Sequence, residues 1–284
     1  MIVVDAHQHY WDTAAVRNER LERIPELRGR FLPEQLASTA PPDIAASVCV
    51  EAASAGADGR SETEWLLRAI RTARIPTRIV AWAPVGTEAA AAYIEWLRNV
   101  LGLVLAGIRQ GFEHGAADLI CSKQVVKGVR SVGAAGLPFD VVVRQEMLPH
   151  VRVLAGNCPE TTLVLNHMGK PRVSGTPSTS WCRDLEALAA NSNVLCKISG
   201  LMTEADSTVL NPQTYSQYIQ HAIDVFGWDR IMFGSDWPVC TLAASYGQWL
   251  NIVERSVSKE SPSNQDKLFA SNAIRVYFGD SLAR

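Results

Sequence analysis

The sequence predicts an α/β protein of the (β/α)8 TIM barrel class. Eight short apolar runs rich in β-branched residues recur along the 284-residue chain. Most of these runs lack polar alternation, as is typical of parallel strands covered on both faces, and nearly every run is followed by a stretch with helical spacing of apolar residues. Eight βα units close most simply into a barrel. A doubly wound open sheet is the alternative, but no GxGxxG or GxxxxGKS/T motif follows an early strand.

The predicted strands are bounded by polar or turn residues, as strands in α/β folds usually are. In chain order they are IVVDA (2–6), ASVCVEA (46–52), RIVAWAPV (78–85), GLVLAGIR (102–109), PFDVVVR (138–144), TLVLNHM (162–168), NVLCKISG (193–200) and RIMFGSD (230–236).

The predicted helices lie between these strands and after the last one. Ser61 and Glu64 predict a capping box, Pro212 suits a first helical turn, and Gly136 and Gly227 suit helix ends. The predicted helical segments cover residues 61–73, 88–100, 122–136, 146–157, 181–192, 212–227 and the closing amphipathic stretch 268–279.

Two connections are longer than is usual in a compact domain. One follows strand one, from Tyr10 to about Asp43, and the other is KPRVSGTPSTS (170–180) after strand six. Both leave the carboxyl ends of strands, where barrel enzymes keep their sites, so both are predicted to form lids. Because no boundary, repeat or low-complexity tract is visible, residues 1–284 are predicted to be one barrel domain with these two insertions and a C-terminal helix.

The composition limits the classes of molecule that the protein is expected to bind. The formal charge of −2 argues against a broad nucleic-acid or membrane footprint, and no apolar stretch approaches the roughly 18 residues that span a bilayer. The six cysteines form no CxxC pair and several lie in apolar runs, which predicts buried free thiols and a cytoplasmic location. We therefore expect a small-molecule substrate; whether the chain forms a homo-oligomer stays open.

Polar side chains cluster at the predicted carboxyl ends of the strands. In extended chain, alternate side chains point the same way, so His7 and His9 should share one face, with Gln8 on the other. Because strand ends meet at one mouth of a barrel, residues distant in sequence should converge there. The further strand-end residues are Glu51, Arg109, Gln110, Arg144, Asn166, His167, Lys197, Ser199 and Asp236.

The set formed by HxH on strand one, His167 on strand six and Asp236 on strand eight resembles the amidohydrolase superfamily. The segments DAHQHYWD, FLPEQL, GIR, LNHMGKP, CKISGL, FGSDWPVC and SNAIRVYFG look like the branch of L-fuconolactonase and other sugar-acid lactonases, with 2-pyrone-4,6-dicarboxylate lactonase more distant. The resemblance spans almost the whole chain. It implies a metal-dependent-hydrolase-like barrel that opens sugar-acid lactones in carbohydrate metabolism.

The resemblance also bears on metal content. Two-metal members need a carboxylated lysine or glutamate near strand four and usually a histidine on strand five, whereas these strands here end in GIRQ and VVVRQ. Arg109 and Arg144 would oppose a second cation. One divalent ion is therefore expected at most, held by His7, His9 and Asp236, a ligand set that suits zinc. The branch also includes members thought to work without metal, so occupancy stays open.

Lactone opening requires a base for the attacking water and a group that stabilises the oxyanion. We expect Asp236 to be the base and His167 to help polarise the carbonyl. Glu51 is open between a ligand and an orienting partner. The residues predicted to bind substrate are Arg109, Lys197 and Arg144 by charge and Trp237, Tyr10, Trp11 and Trp82 by apolar contact.

Other interpretations remain. Asp236 could cap a helix, and Arg109 or Lys197 could form an ion pair, for example with Glu51. The main alternative function is a single-zinc decarboxylase of a small aromatic acid, although that activity favours a strand-five histidine. A metal-dependent nuclease and a sugar-acid binder without activity are less well supported. The remaining histidines, His114, His150 and His221, are predicted to be surface or packing residues.

Overall fold

A closed barrel of eight parallel strands forms the centre of the protein. In the computed structural model, described here for residues 2–52, 59–113, 117–205 and 211–279, neighbouring strands in the sheet follow chain order. This confirms the predicted (β/α)8 barrel. The strands are β1 Val3–Gln8, β2 Ile44–Val50, β3 Thr77–Trp82, β4 Leu105–Gly111, β5 Phe139–Val142, β6 Leu163–Leu165, β7 Val194–Ile198 and β8 Ile231–Phe233.

The barrel closes between β1 and the segment that follows β8. The amide of His9 donates to the carbonyl of Trp237 at 2.7 Å, and the amide of Asp236 donates to the carbonyl of His7 at 2.8 Å. These bonds lie just beyond the end of β8, so the chain that carries Asp236 is fixed directly against the chain that carries both histidines.

The helices cover the outside of the barrel. Gly136 and Gly227 end two of them with positive φ angles of 74° and 70°, as predicted. The helices are α1 Glu19–Glu22, α2 Pro33–Thr39, α3 Arg60–Ala69, α4 Ala90–Leu101, α5 Lys123–Ala134, α6 Leu148–Asn157, α7 Thr179–Ala189, α8 Pro212–Phe226, α9 Tyr246–Ser256 and α10 Pro262–Asp266. Within the described residues, no helix has the length and apolar character needed to span a membrane.

The start of α3 differs from the prediction. The helix begins at Arg60 with Gly59 at its N-cap and no side-chain cap, so the predicted capping box at Ser61 is wrong. A Cβ atom on Gly59 would lie 2.5 Å from the Trp82 ring and 3.0 Å from the Tyr93 hydroxyl. The close approach of the chain to these rings therefore requires glycine and fixes where the helix starts.

The C-terminal segment closes the amino-terminal end of the barrel. Helix α10 continues through two wide π-type turns, Lys267–Ser271 and Ile274–Phe278. Its side chains Ala270, Ala273 and Tyr277 pack with the barrel-interior residues of the strands. The predicted closing helix is thus a plug at the end of the barrel opposite the strand-end polar residues. The assignment of 1–284 to one domain stays a prediction.

The two long connections differ in content. The first contains α1, α2 and a small antiparallel ladder in which Trp11–Asp12 pairs with Arg30–Phe31. The second runs without a helix from Lys170 to the N-cap Ser178, and a single bridge joins Val173 to Ala205. All six cysteines are free, four of them buried, as predicted.

Candidate active site

A register shift in β1 aims both strand-one histidines into the barrel. Val4 and Ala6 pack in the barrel interior, so strict alternation would turn Gln8 inward as well. Instead, the register in which β1 pairs with β2 shifts between Asp5 and Gln8 and interrupts the alternation. Gln8 consequently points away from the mouth, where its amide donates to Ser47 Oγ at 3.3 Å. As predicted, His7 and His9 share one face, but the shift decides which face.

Asp5 ties the two halves of the site together. Its carboxylate accepts the amide of His7 at 3.0 Å, the amide of Ser235 at 2.9 Å and the hydroxyl of Ser235 at 2.6 Å. Complete burial raises the pKa of Asp5 to about 6, although these hydrogen bonds work in the opposite direction. The carboxylate thus holds the residues that flank His7 and Asp236 in one arrangement.

Left-handed backbone presents His167 and Asp236 to the mouth. The φ angles of His167, Met168 and Lys170 are 55°, 52° and 48°, and that of Asp236 is 58°. Such a conformation costs a non-glycine residue on the order of 1–3 kcal/mol, and it persists only where the surroundings enforce it. Trp181 provides part of that support, because its indole N–H donates to the carbonyl of Met168 at 2.9 Å.

Four side chains converge at the floor of the mouth. The Nε2 atoms of His7 and His9 are 3.3 Å apart. Asp236 Oδ1 lies 3.7 Å from Nε2 of His7, 3.3 Å from Nε2 of His9 and 3.9 Å from Nε2 of His167. The structure therefore brings together the residues predicted as ligands and catalytic groups.

The donor set fits one divalent ion. Two donors bound at about 2.05 Å with a tetrahedral angle lie about 3.3 Å apart, which matches the separation of His7 and His9. His9 Nδ1 donates to the carbonyl of Val50 at 2.7 Å, so its Nε2 presents a lone pair to the site. His7, His9 and Asp236 are the one group of three such ligands among the residues that the structure describes.

Burial keeps the His7 and His167 imidazoles neutral, and neighbouring groups keep the Asp236 carboxylate charged. It lowers the pKa of His7 well below its ordinary value and that of His167 to about 4. Burial alone would raise the pKa of Asp236, but its interactions with His167, His9 and Lys170 lower it. At neutral pH the site therefore holds the neutral imidazoles of His7 and His167 beside an ionised carboxylate, the protonation states that metal ligation and proton abstraction both require.

A cavity of about 290 Å³ opens above these groups. Of the predicted substrate-binding residues, Arg109, Arg144 and Trp11 line it. The connection after β1 forms one wall, which agrees with its predicted role at the mouth. The cavity lining from that connection is Trp11, Arg20, Leu21, Ile24 and Leu27.

The structure does not place Lys197 at the cavity, where it was predicted to bind substrate. Lys197 is fully buried and does not line the cavity, because it lies inside β7 rather than beyond its end. Its ammonium binds Asp140 Oδ2 at 2.6 Å and lies 4.8 Å from the centre of the Tyr277 ring. Tyr277 donates to Asp140 Oδ1 at 2.7 Å. Lys197 thus joins the barrel interior to the C-terminal plug.

Three of the aromatic side chains predicted to form walls also lie away from the cavity. Tyr10, Trp82 and Trp237 do not line the cavity. Neighbouring residues of an extended chain project to opposite sides, so Tyr10 turns away from the mouth when His9 turns toward it. Tyr10 and Trp237 pack edge to face at 6.3 Å, and Trp82 packs on Tyr93 at 5.5 Å.

The cationic residues of the cavity are paired. Arg109 Nε binds Glu51 Oε1 at 2.7 Å, and its Nη2 binds the Glu51 carbonyl. Glu51 therefore orients Arg109, and the predicted ion pair is present. Arg144 Nη1 also lies 3.9 Å from Glu204 Oε2, so both arginines that were expected to oppose a second cation lie beside a carboxylate, which weakens that opposition. The limit of one metal ion rests instead on the ligand set.

Sequence reasoning missed a group of charged residues on the cavity wall. Lys170 Nζ binds Glu113 Oε1 at 2.7 Å and Glu204 Oε1 at 2.9 Å, and Arg20 Nη1 lies 3.3 Å from Glu113 Oε2. The one local signal was the position of Lys170 three residues after His167 in LNHMGKP. His150 and His221 lie on α6 and α8 outside this site, and His114 lies outside the described residues.

A barrel with HxH at the end of strand one, a histidine after strand six and an aspartate after strand eight belongs to the class of metal-hydrolase barrels. The chain is a member of the amidohydrolase family, which it matches over residues 4–279. It is 32% identical to the L-fucono-1,5-lactonase of Burkholderia multivorans, over 96% of this chain and 95% of the relative. A crystal structure of an amidohydrolase from Burkholderia multivorans with bound zinc is 30% identical, with a TM-score of 0.87 over 98% of this chain and 99% of that chain.

More distant structures share the fold alone. A Pseudomonas putida protein described as a 2-pyrone-4,6-dicarboxylic acid hydrolase has a TM-score of 0.78 at 19% identity, covering 97% of each chain. A 2,6-dihydroxybenzoate decarboxylase from Rhizobium has a TM-score of 0.65 at 17% identity, covering 97% of this chain and 98% of that chain. The 2-pyrone-4,6-dicarboxylic acid hydrolase and the 2,6-dihydroxybenzoate decarboxylase thus share the barrel fold with this chain.

Proposed function

We propose that this protein is a lactonase that hydrolyses a sugar-acid lactone of the L-fuconolactone or L-rhamnonolactone kind. The observation that carries the proposal is the position of Asp236 Oδ1, within 3.3–3.9 Å of three imidazole Nε2 atoms at the floor of a monosaccharide-sized cavity. The L-fucono-1,5-lactonase relative supports it.

The charge of the cavity wall favours a neutral, hydroxylated substrate. The four lining cations, Arg20, Arg109, Arg144 and Lys170, each lie within 4 Å of a glutamate carboxylate. An anionic substrate is bound best by cations without carboxylate partners, whereas three glutamates already engage all four of these cations. This pairing disfavours the alternative, decarboxylation of an aromatic acid, as does β5, which is followed by Val143 and Arg144 and no histidine.

Asp236 would act as the general base. Its lowered pKa keeps it ionised at neutral pH, and its Oδ1 atom lies among the imidazoles, so the other oxygen can accept a proton from a water molecule at the cavity floor. After ring opening, the same carboxyl group would return the proton to the leaving alkoxide. A divalent ion held by His7, His9 and Asp236 would polarise the lactone carbonyl and make the water more acidic.

His167 would stabilise the oxyanion. The imidazole is neutral, since burial lowers its pKa to about 4, and Nδ1 lies 2.9 Å from Ser199 Oγ. When the hydroxyl donates to Nδ1, Nε2 carries the hydrogen and can donate it to the developing negative charge. Arg109 would bind a ring or hydroxyl oxygen through Nη1, which has no hydrogen bond to the described residues, while Glu51 fixes the guanidinium plane.

A lactone panel monitored by proton release tests the proposal. The wild-type protein should open L-fucono-1,5-lactone, and Asp236→Asn should lower kcat by about 10²- to 10⁴-fold, the usual contribution of a general base. Asp224→Asn is the matched control, because Asp224 accepts a bond from Gln220 on the surface of α8. Unchanged turnover in Asp236→Asn would contradict the mechanism. Carbon dioxide release from 2,6-dihydroxybenzoate would favour the decarboxylase.

The same assay with a chelator tests the metal. If the ion supplies the carbonyl polarisation, removing it should abolish turnover, and zinc should restore one equivalent of bound metal together with activity. Full activity in metal-free protein would show that Asp236 and His167 suffice, which is the metal-independent alternative.

A further inference from the structure

We propose that Lys170, with Glu113 and Glu204, is the hydroxyl-recognition site of this enzyme and sets its preference for polyhydroxylated over unsubstituted lactones. The inference rests on the proposed lactonase function and concerns which part of the cavity selects the substrate. Its basis is an alternating series of charges, here called the ion chain, composed of Arg20, Glu113, Lys170, Glu204 and Arg144.

The ion chain is assembled from separate loops of the mouth. Arg20 belongs to the connection after β1, Glu113 follows β4, Arg144 follows β5, Lys170 follows β6 and Glu204 follows β7. All five line the cavity. Residues so distant in sequence meet at one wall only because the barrel places its strand ends in a ring. The ion pairs therefore form only in the folded barrel and not within any one loop.

Lys170 is held rigidly relative to the hydrolytic groups. It ends the left-handed segment that begins at His167, and its amide donates to the carbonyl of His167 at 2.8 Å. A strained, non-glycine backbone at a cavity wall is typical of functional positions. The segment therefore fixes the backbone of Lys170 relative to His167. His167 is proposed to face the lactone carbonyl, so the Lys170 ammonium faces the rest of the lactone ring.

The arrangement of donors and acceptors suits hydroxyl groups. Lys170 uses two of its three N–H bonds on Glu113 and Glu204, and its side chain is 11% exposed, within the cavity. A sugar hydroxyl both donates and accepts, so it can accept from the third N–H and donate to a neighbouring carboxylate. The alternation of charges offers every hydroxyl along the wall both kinds of partner, whereas an unsubstituted ring would leave these groups without substrate bonds.

Substrate discrimination separates this role from a merely structural one. We would measure kcat and KM for L-fucono-1,5-lactone and for δ-valerolactone, which carries no hydroxyl. Lys170→Met should lower kcat/KM for the sugar lactone about 10- to 100-fold, mainly through KM, because bonds to a charged group are lost. The value for δ-valerolactone should change less than about threefold. Lys127→Met, which breaks the exposed pair with Glu88 on α5, is the control and should change neither value.

A second variant covers the case in which Lys170→Met does not fold. The double change Lys170→Met with Glu204→Gln removes one cation and one anion, so the net charge of the wall is unchanged and Glu113 keeps Arg20 as a partner. It should show the same selective loss. Equal losses on both lactones, or no loss on either, would overturn the proposal, since a structural ion cluster predicts no discrimination.

A binding measurement distinguishes failure of the inference from failure of the proposed function. Calorimetric titration with L-fucose, a neutral hydroxylated sugar, needs no turnover. Binding to the wild-type protein that weakens at least tenfold in the double variant would support hydroxyl recognition even if no lactone were opened. Absence of L-fucose binding to the wild type, or equal binding to both proteins, would overturn it whether or not lactones are hydrolysed.

Discussion

Two lysines lie at different depths of the same barrel, and their surroundings separate a structural role from the proposed functional one. Lys197 has no exposed surface, and its partners Asp140 and Tyr277 bind one another as well. Lys170 is also held between carboxylates, but it faces a cavity. A buried ion pair without access to solvent fixes packing, whereas one at a cavity wall can exchange a partner for a ligand. Both residues carry the same charge, so their position relative to the strand end separates the structural role of Lys197 from the proposed binding role of Lys170.

The largest effect on stability is expected at the inner lysine. Lys197→Met should destabilise the fold by about 3–5 kcal/mol, because it leaves the Asp140 carboxylate buried without its counter-ion. Urea unfolding measures this change. Tyr277→Phe, which removes one hydrogen bond to Asp140, is the milder comparison and should cost about 1 kcal/mol. A loss below 1 kcal/mol in Lys197→Met would mean that the interior network does not hold the barrel and its plug together.

The next largest effect on stability is expected when acid protonates the ion chain. Burial would raise the pKa of Glu113, but the ammonium of Lys170 and the guanidinium of Arg20 lower it from 4.5 to about 2. The folded state therefore binds fewer protons than the unfolded state between these values. The resulting stability, about 3 kcal/mol at 1.36 kcal/mol per pKa unit, is fully present above about pH 5 and is lost as the pH falls toward 2.

Unfolding measurements at pH 7, 4 and 3 test this linkage. Glu113→Gln should be less stable than the wild type at pH 7 and should lose less stability on acidification, so the two curves approach one another at low pH. Parallel curves would show that Glu113 is not the group responsible.

The smallest effect is expected at the exposed end of the ion chain. Arg20 has a side chain that is 58% exposed, and exposed pairs contribute at most about 1 kcal/mol. Arg20→Met should therefore change the free energy of unfolding by less than about 1 kcal/mol and should lose this effect in 1 M salt. A larger, salt-independent loss would indicate that the connection after β1 depends on this pair for its position over the cavity.

The local pattern of the sequence predicted the scaffold well. Eight apolar runs with helices between them require only the strand and helix periods to be recognised, and all eight are barrel strands in the predicted order. The same periodicity placed His7 and His9 on one face. His167 and Asp236 could be predicted because each lies within three residues of the end of a strand, where a parallel barrel collects its polar side chains.

Depth and pairing could not be predicted in this way. Lys197 was predicted to lie at the mouth, but it lies within β7. The pattern of the sequence does not locate the end of a strand to within two residues, and two residues along a strand move a side chain by about 6–7 Å. The partners of Arg109 and Lys170 lie 58, 57 and 34 residues away in sequence. No local pattern records such distances, so the paired character of the cavity wall was invisible.

The sequence by itself therefore determined the barrel, its family and the four side chains at its floor, because strand periodicity and strand ends are local properties of a chain. The tertiary structure decided the rest: the shift in β1 that turns both histidines inward, the left-handed turns that aim His167 and Asp236, and the carboxylates that pair with the cations of the wall. These features arise where separate strands and loops meet, and their energies depend on neighbours that the chain brings together only when it folds.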